Sequence, residues 1–393
     1  MLNNLQPQSP DALLALIKLY AADDRSDKVD LGVGVYRTGE GDTPVFGAIK
    51  GAEQKLVDTQ DSKAYLGPEG DMGFVHSLAP YIFGKNATMG GRIEGMQTPG
   101  GTGAVRLAAA LAKKAGASRV YIGTPSWPNH AQIFNDLPLE SVSFNHGTPE
   151  GLADLDAVLN VIANASAKDA ILLHGCCHNP TGVDYTIDDW AAIAEALANS
   201  PVLPILDIAY QGLGAGMEED VEGVRKVLAA VPQALIAYSC DKNFGLYRDR
   251  VGALYMMGES AGALTDVVSN ANALARASWS MPPDHGGAAV RMVLRDDALT
   301  KDWLAELASM RERMRDVRNK LAAADNEVPG LGLGALAHQN GLFAIIPLAK
   351  EQILALREEH AIYMAGSGRI NIAGLHDGNI AKFLSALAAV SSN

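Results

Sequence analysis

Through the middle of the chain, short unbroken apolar runs alternate with longer stretches whose apolar residues recur every three or four positions. "RVYIGTP", "AILLHGC", "VLPILDIAY", "ALIAYSC" and "VGALYMM" are continuous rather than alternating, which predicts strands buried on both faces. Between them, "TIDDWAAIAEALANS" and "EDVEGVRKVLAAV" carry helical spacing. Strand–helix alternation of this kind predicts an α/β fold: a large domain with a mainly parallel sheet flanked by helices. The chain ends read differently. "SPDALLALIKLYAADD" predicts a helix with Ser9 as its N-cap, Pro10 in the first turn and an apolar stripe of Leu13, Leu14, Ile17 and Leu19. From Ala298 a long helical pattern runs through "ALTKDWLAELASMRERMRDVRNKLAAA", and "GLFAIIPL", "EQILALREEHAIYM" and "GRINIAG" follow as strand, helix and strand. The expected organisation is an N-terminal arm over 1–10, a smaller α/β domain built from 11–44 and 299–393, and the large domain over 45–298.

Composition narrows the function. The 393 residues are 48% hydrophobic and 20% charged, an ordinary globular balance. A net charge of −13 argues against nucleic-acid or anionic-membrane partners, since both need a basic face. An anionic ligand would then have to be met by individually placed arginines. The three cysteines, Cys176, Cys177 and Cys240, are odd in number and two are adjacent, which suits neither a disulfide framework nor metal-ligand spacing. No metal is expected. The N-terminus lacks the basic start of a signal or transit peptide, and the expected location is cytoplasmic.

Five stretches carry candidate chemistry, and each has a plainer reading. In an open α/β sheet, ligands bind beyond the strand ends. "QTPGGTGAVRLAAALA" places a glycine-rich turn and Thr102 at a helix start, either an anion site or simply a tight turn, with no clear strand before it. "LPILDIAYQG" sets Asp207 after an apolar run and Tyr210 three residues on; the carboxylate could hold a protonated ring nitrogen or cap a turn. In "LLHGCCHNPTG", Asn179 precedes a proline and is thereby extended, able to project its amide into a cleft; His174 and His178 read as structural. "YSCDKNFGLYRDR" offers Lys242 as an end cap or as an amine of lowered pKa, and Arg250 as a phosphate grip or a surface partner of Asp249. "MAGSGRINIAG" sets Arg369 among small residues, a placement that favours a carboxylate clamp. Phosphate cradle, ring-nitrogen acid, amine and carboxylate clamp are together the parts of a pyridoxal-phosphate site for amino acids.

With those residues in view, the chain resembles the class I, fold-type I aminotransferases of the aspartate and aromatic amino acid branch. The resemblance runs in order through "DLGVGVYR", "AYLGPEG", "TPGGTGAVR", "PSWPNH", "HGCCHNPTG", "DIAYQG", "KNFGLYRDRVG", "RASWSMPPDHG" and "SGRINIAG". It implies that Lys242 carries pyridoxal 5'-phosphate and that Asp207, supported by His130, pairs with the ring nitrogen. It also implies that Tyr210 and Asn179 meet the ring's phenolic oxygen and that Trp127 stacks on the ring. Gly101, Thr102, Ser239 and Arg250 would hold the phosphate, with Tyr65 reaching in from a second subunit. Arg369 would clamp the substrate α-carboxylate against Gly34, and Arg276 of the second subunit would meet a side-chain carboxylate. Active sites shared in this way imply a homodimer embraced by the N-terminal arm.

The implied reaction is ping-pong transfer of an amino group to 2-oxoglutarate. Arg276 keeps dicarboxylic substrates in reach. Ala64 and Met281, where polar residues are common in aspartate-specialised relatives, favour admission of an aromatic ring as well. A strict aspartate aminotransferase is the alternative, with a pyridoxal-phosphate lyase behind it. A nicotinamide enzyme would need a glycine fingerprint that the chain lacks, and a transcription regulator would need a basic extension. One position departs from the family pattern: Asp241 stands where serine is usual. Its carboxylate either turns away from the phosphate or lowers the affinity for it.

Overall fold

The computed structural model describes residues 1–7, 12–85, 91–148 and 150–391. The chain divides into two compact units, Pro44–Glu312 and Met1–Thr43 with Arg313–Asn393. The division falls inside the long helix Asp297–Ala323, not at its start as the sequence pattern suggests.

In the larger unit seven strands form one sheet: β1 Ile93–Pro99, β2 Arg119–Thr124, β3 Glu140–Asn145, β4 Asp169–His174, β5 Leu203–Ile208, β6 Ala234–Ser239 and β7 Val251–Met257. Their order across the sheet is β1-β7-β6-β5-β4-β2-β3. Only β7 runs antiparallel to its neighbours β1 and β6. The expected strands at β2, β4, β5, β6 and β7 are all present, and β6 and β7 are buried at every residue. Helix Gly100–Lys114 buries Ala104, Ala108 and Ala112 with Leu107 and Leu111 in the same core as Leu172, Ile205, Leu235 and Leu254. Alanines let it approach the sheet closely, while each buried leucine contributes about 2 kcal/mol. Helix Ile187–Ala198 starts where Thr186 closes a capping box with Asp189, at 3.1 and 2.8 Å.

Strand β1 departs from expectation, since it leads straight into the glycine-rich turn that had no clear strand before it. Its polar residues disguise it. Gln97 is fully buried, yet its amide accepts from Asp71 N at 2.7 Å and donates to Pro283 O at 2.8 Å. A buried amide satisfied at both ends behaves as core.

In the smaller unit Val29–Asp30 pairs in parallel with Ile362–Tyr363, and Phe343–Ile345 pairs antiparallel with Arg369–Asn371. Helices Ala12–Ala22, Lys350–His360 and Ile380–Ser391 belong to it. Buried Arg318 gathers the carbonyls of Asn340, Gly341 and Phe343 onto one nitrogen, at 3.0, 2.9 and 2.7 Å. The N-cap and first-turn expectations at Ser9 and Pro10 lie outside the described residues. The apolar stripe of the first helix is not a core face in this chain, because Leu14, Ile17 and Leu19 are exposed and Leu16 is the buried position.

The cysteines are free and buried. Cys176 and Cys177 lie close to Asp220, but its carboxylate already accepts the amides of Gly212, Gly214, Ala215 and Gly216. No described helix is long and apolar enough to cross a membrane.

Candidate active site

Parallel pairing brings three chemistry-bearing segments to one end of the sheet. Asp207, at the end of β5, lies opposite His174 of β4 and Ala237 of β6. Ser239 closes β6, and the turn bearing Asn179 follows β4. This is the carboxyl edge, where open α/β sheets bind ligands.

Asp207 is buried and its Oδ2 meets His130 Nε2 at 3.0 Å. Burial by itself would raise its pKa. The hydrogen bond and charge of His130, with His174 and Lys242 beyond, outweigh that and hold the carboxyl below its ordinary value. Behind it a relay continues from His130 Nδ1 to Ser126 Oγ at 3.0 Å and from there to His174 Nε2 at 3.2 Å. Trp127, at the start of helix Pro128–Asp136, stands edge-on to the His130 ring at 5.0 Å.

Lys242 is the third residue of the connection from β6 to β7, and its Nζ sits 5.2 Å from the centroid of the Tyr210 ring. Burial lowers its pKa; Asp241 and Asp207 pull it up and Arg250 pushes it down, so the net shift is downward. Tyr210 Oη accepts from Asn179 Nδ2 at 3.2 Å. The other amide atom, Asn179 Oδ1, is buried without a partner.

Beside the lysine lies a small cradle. Gly100 has φ +70°, a turn that suits glycine, and helix Gly100–Lys114 starts there with Gly101 and Thr102 in its first turn. A Cβ on Gly101 would lie 2.7 Å from Ser239 Cβ, and one on Gly100 would lie 2.6 Å from Arg250 Nη2. Arg250 itself is left-handed at φ +56°, a conformation that costs energy outside glycine. Its Nη1 donates to Tyr247 O at 3.1 Å and to Asp241 Oδ2, while Asp241 Oδ1 accepts from Val251 N at 3.0 Å. The partner of Arg250 is thus Asp241, and the local alternative of an Asp249 pair is not the one adopted. Burial pushes the Asp241 carboxyl up, against the pull of Lys242 and Arg250.

The smaller unit holds a second cluster. The Arg369 guanidinium lies 4.5 Å from the centroid of the Phe343 ring and donates to Gly32 O at 2.9 Å. Gly34 backs onto the same ring, where a Cβ would come 2.7 Å from Phe343 Cζ. Fully buried Asn371 ties that loop down by donating to Val33 O and Val35 O, each at 2.7 Å. Asn371 and Phe343 did not stand out in the sequence; a lone amide inside "RINIAG" was the available signal. Tyr65 is 96% exposed and, among the described residues, makes no hydrogen bond or ring contact. Arg276 is exposed at the end of helix Ala261–Ser278 and bonds to Ser280 Oγ. Neither joins the clusters described above.

A sheet-edge lysine beside a buried carboxylate–imidazole pair and a glycine-lined cradle is the constellation of a fold-type I pyridoxal-phosphate enzyme. The chain belongs to the aminotransferase class I and II family, which it matches over residues 26–387, and it is an aminotransferase. A tyrosine aminotransferase of Rhizobium meliloti (strain 1021) is 47% identical over 95% of this chain and 96% of that protein. An aspartate aminotransferase of Escherichia coli (strain K12) is 40% identical over 99% and 100%. Among solved structures, an aromatic-amino-acid aminotransferase from Burkholderia pseudomallei, covalently bound to pyridoxal phosphate, superposes with a TM-score of 0.95. It is 33% identical and covers 99% of both chains. Enzymes of this family depend on pyridoxal phosphate.

Proposed function

We propose that this aminotransferase carries pyridoxal 5'-phosphate on Lys242 and moves amino groups from aromatic and dicarboxylic L-amino acids to 2-oxoglutarate by ping-pong kinetics. The observation that supports this most is the convergence of Lys242, Tyr210, Asn179 and the Asp207–His130 pair at one sheet edge. The residues fit the cofactor on two further counts. The buried, unpaired end of the Asn179 amide is ready for a ligand: turning the amide would let Tyr210 donate to Oδ1 and free Nδ2 for an oxygen acceptor. The Gly101–Ser239 approach leaves no room for a side chain at Gly101, which keeps the first amides of the helix and Arg250 Nη2 open to a phosphate.

When bound, the cofactor supplies a pyridinium ring that accepts the electron pair left when an amino acid loses its α-proton. Lys242, whose pKa is lowered by burial, is the base that takes and returns that proton at Nζ. Asp207, held ionised by His130, keeps the ring nitrogen protonated. Trp127 covers the ring face, and Gly101, Thr102, Ser239 and Arg250 hold the phosphate. Arg369, seated on Phe343, takes the α-carboxylate against the Gly34 loop. Exposed Tyr65 and Arg276 serve a second copy of the chain, in a homodimer that also covers Leu14, Ile17 and Leu19. Met281 Sδ accepts from Leu66 N at 3.1 Å, beside Ala64, so the wall next to the Arg276 carboxylate site is apolar and pliable. That supports aromatic as well as dicarboxylic substrates. Free, buried thiols go with a cytoplasmic location.

A visible spectrum of the purified protein, before and after phenylalanine or aspartate, tests the reading. The wild type should lose its cofactor band with either amino acid, and Lys242→Ala should not transaminate. Turnover of aspartate without phenylalanine would leave a strict aspartate enzyme.

A further inference from the structure

The Arg250–Asp241 pair changes what the cradle can hold. Asp241 is fixed by both oxygens, one on the Val251 amide and one on Arg250 Nη1, and it is buried. It therefore does not turn away from the cradle. Its carboxylate oxygen would lie 3.0 Å from a Cβ on Gly100, and Arg250 Nη2 would lie 2.6 Å from the same point, so acid and guanidinium face the same glycine. The formal charges of the pair cancel. What remains for a phosphate is Nη2, the amides of the helix start and the Ser239 hydroxyl, against a fixed negative charge. A phosphate monoester brings a charge of about −1.5 to −2 near neutral pH.

We propose that Asp241 is an affinity-setting residue of the phosphate subsite: by holding Arg250 and placing a carboxylate beside the cradle, it makes the enzyme bind its phosphorylated cofactor loosely and exchange it readily. The inference rests on the proposed role of Arg250 in gripping the phosphate. Only ligands that carry the phosphate should feel it, because the charge stands at the cradle and the ring is held elsewhere, by Asp207, Tyr210 and Asn179.

The test is the dissociation constant of pyridoxal 5'-phosphate and of unphosphorylated pyridoxal, measured by equilibrium dialysis for wild type, Asp241→Ser and Asp241→Asn. The asparagine variant keeps an oxygen for the Val251 amide and guards against a folding defect in the serine variant. Both variants should hold pyridoxal 5'-phosphate at least tenfold more tightly, about 1.4 kcal/mol, with pyridoxal within about twofold of wild type. An unchanged or weaker hold on the phosphorylated ligand overturns the proposal, and so does an equal gain for both ligands, which would place the effect at Lys242. If the wild type shows no Lys242-dependent absorption band, the proposed function fails first and takes this inference with it.

Discussion

Two histidines, His146 and His174, sensitise the fold to acid. His146 is stacked on His178 with ring centroids 3.5 Å apart, and its Nε2–H donates to Val183 O at 2.8 Å. Burial holds the His146 imidazole down to about 4; His174 is held to about 3, again first by burial and then by repulsion from His130. Unfolded, each would take up a proton near pH 6.5. Between about pH 6.5 and 4 the unfolded chain therefore binds more protons than the folded one, and stability falls as pH drops through that window. His146→Gln, which retains an N–H for Val183, should remove about one proton from the linkage, or about 1.4 kcal/mol per pH unit of slope. Urea midpoints measured from pH 6.5 to 4 would show it, and an undiminished slope would contradict it. Such residues were hard to read in the sequence. Lys242, Asp207 and Arg369 stood out because a charge beside an apolar run needs a reason, whereas a histidine gives no sign of which ring it will lie against.

Elements were legible where burial was continuous. Strands β4 to β7 announced themselves as unbroken apolar runs, because a parallel sheet covered on both faces has no polar side to show. Strand β1 did not, since Gln97 finds its partners only in three dimensions. The β6–β7 connection holds a similar hidden device. Tyr238, fully buried in β6, donates to Gln211 Oε1 at 2.8 Å and accepts from Asn243 Nδ2 at 2.9 Å, while Trp303 Nε1 donates to Asn243 O at 2.6 Å. The residue next to Lys242 is thereby clamped to the strand that leads into it. Tyr238→Phe strips a hydroxyl from between two buried amides and should cost about 1–3 kcal/mol in urea unfolding. Loss of less than about 0.5 kcal/mol would mean that the hydroxyl carries none of the clamp.

For the whole molecule, the pattern conveyed two α/β bodies but not their limits, because one continuous helix gives no sign at residue 312 that one unit ends and the other begins. The proposed shared sites make a quantitative demand on the assembly. Lys242→Ala and Arg276→Ala should each be poor with aspartate. After unfolding together and refolding at equal amounts, half of the dimers are mixed, and each of those has one site free of both lesions. Aspartate activity should then recover to about a quarter of wild type. Recovery confined to the sum of the two parents would place lysine and arginine in sites that each subunit completes alone.

Lys242, three residues past the end of β6, and Arg250, the residue before β7, lie on the single connection between those strands. In the proposed site, with Lys242 on the aldehyde carbon and Arg250 on the phosphate, the span between those two points is set by covalent bonds, so this connection would work as a ruler whose length the ligand dictates. Inserting or deleting even one residue between Asn243 and Asp249 would mis-set amine against anchor, whereas the connections on the opposite rim of the sheet have no such gauge to keep.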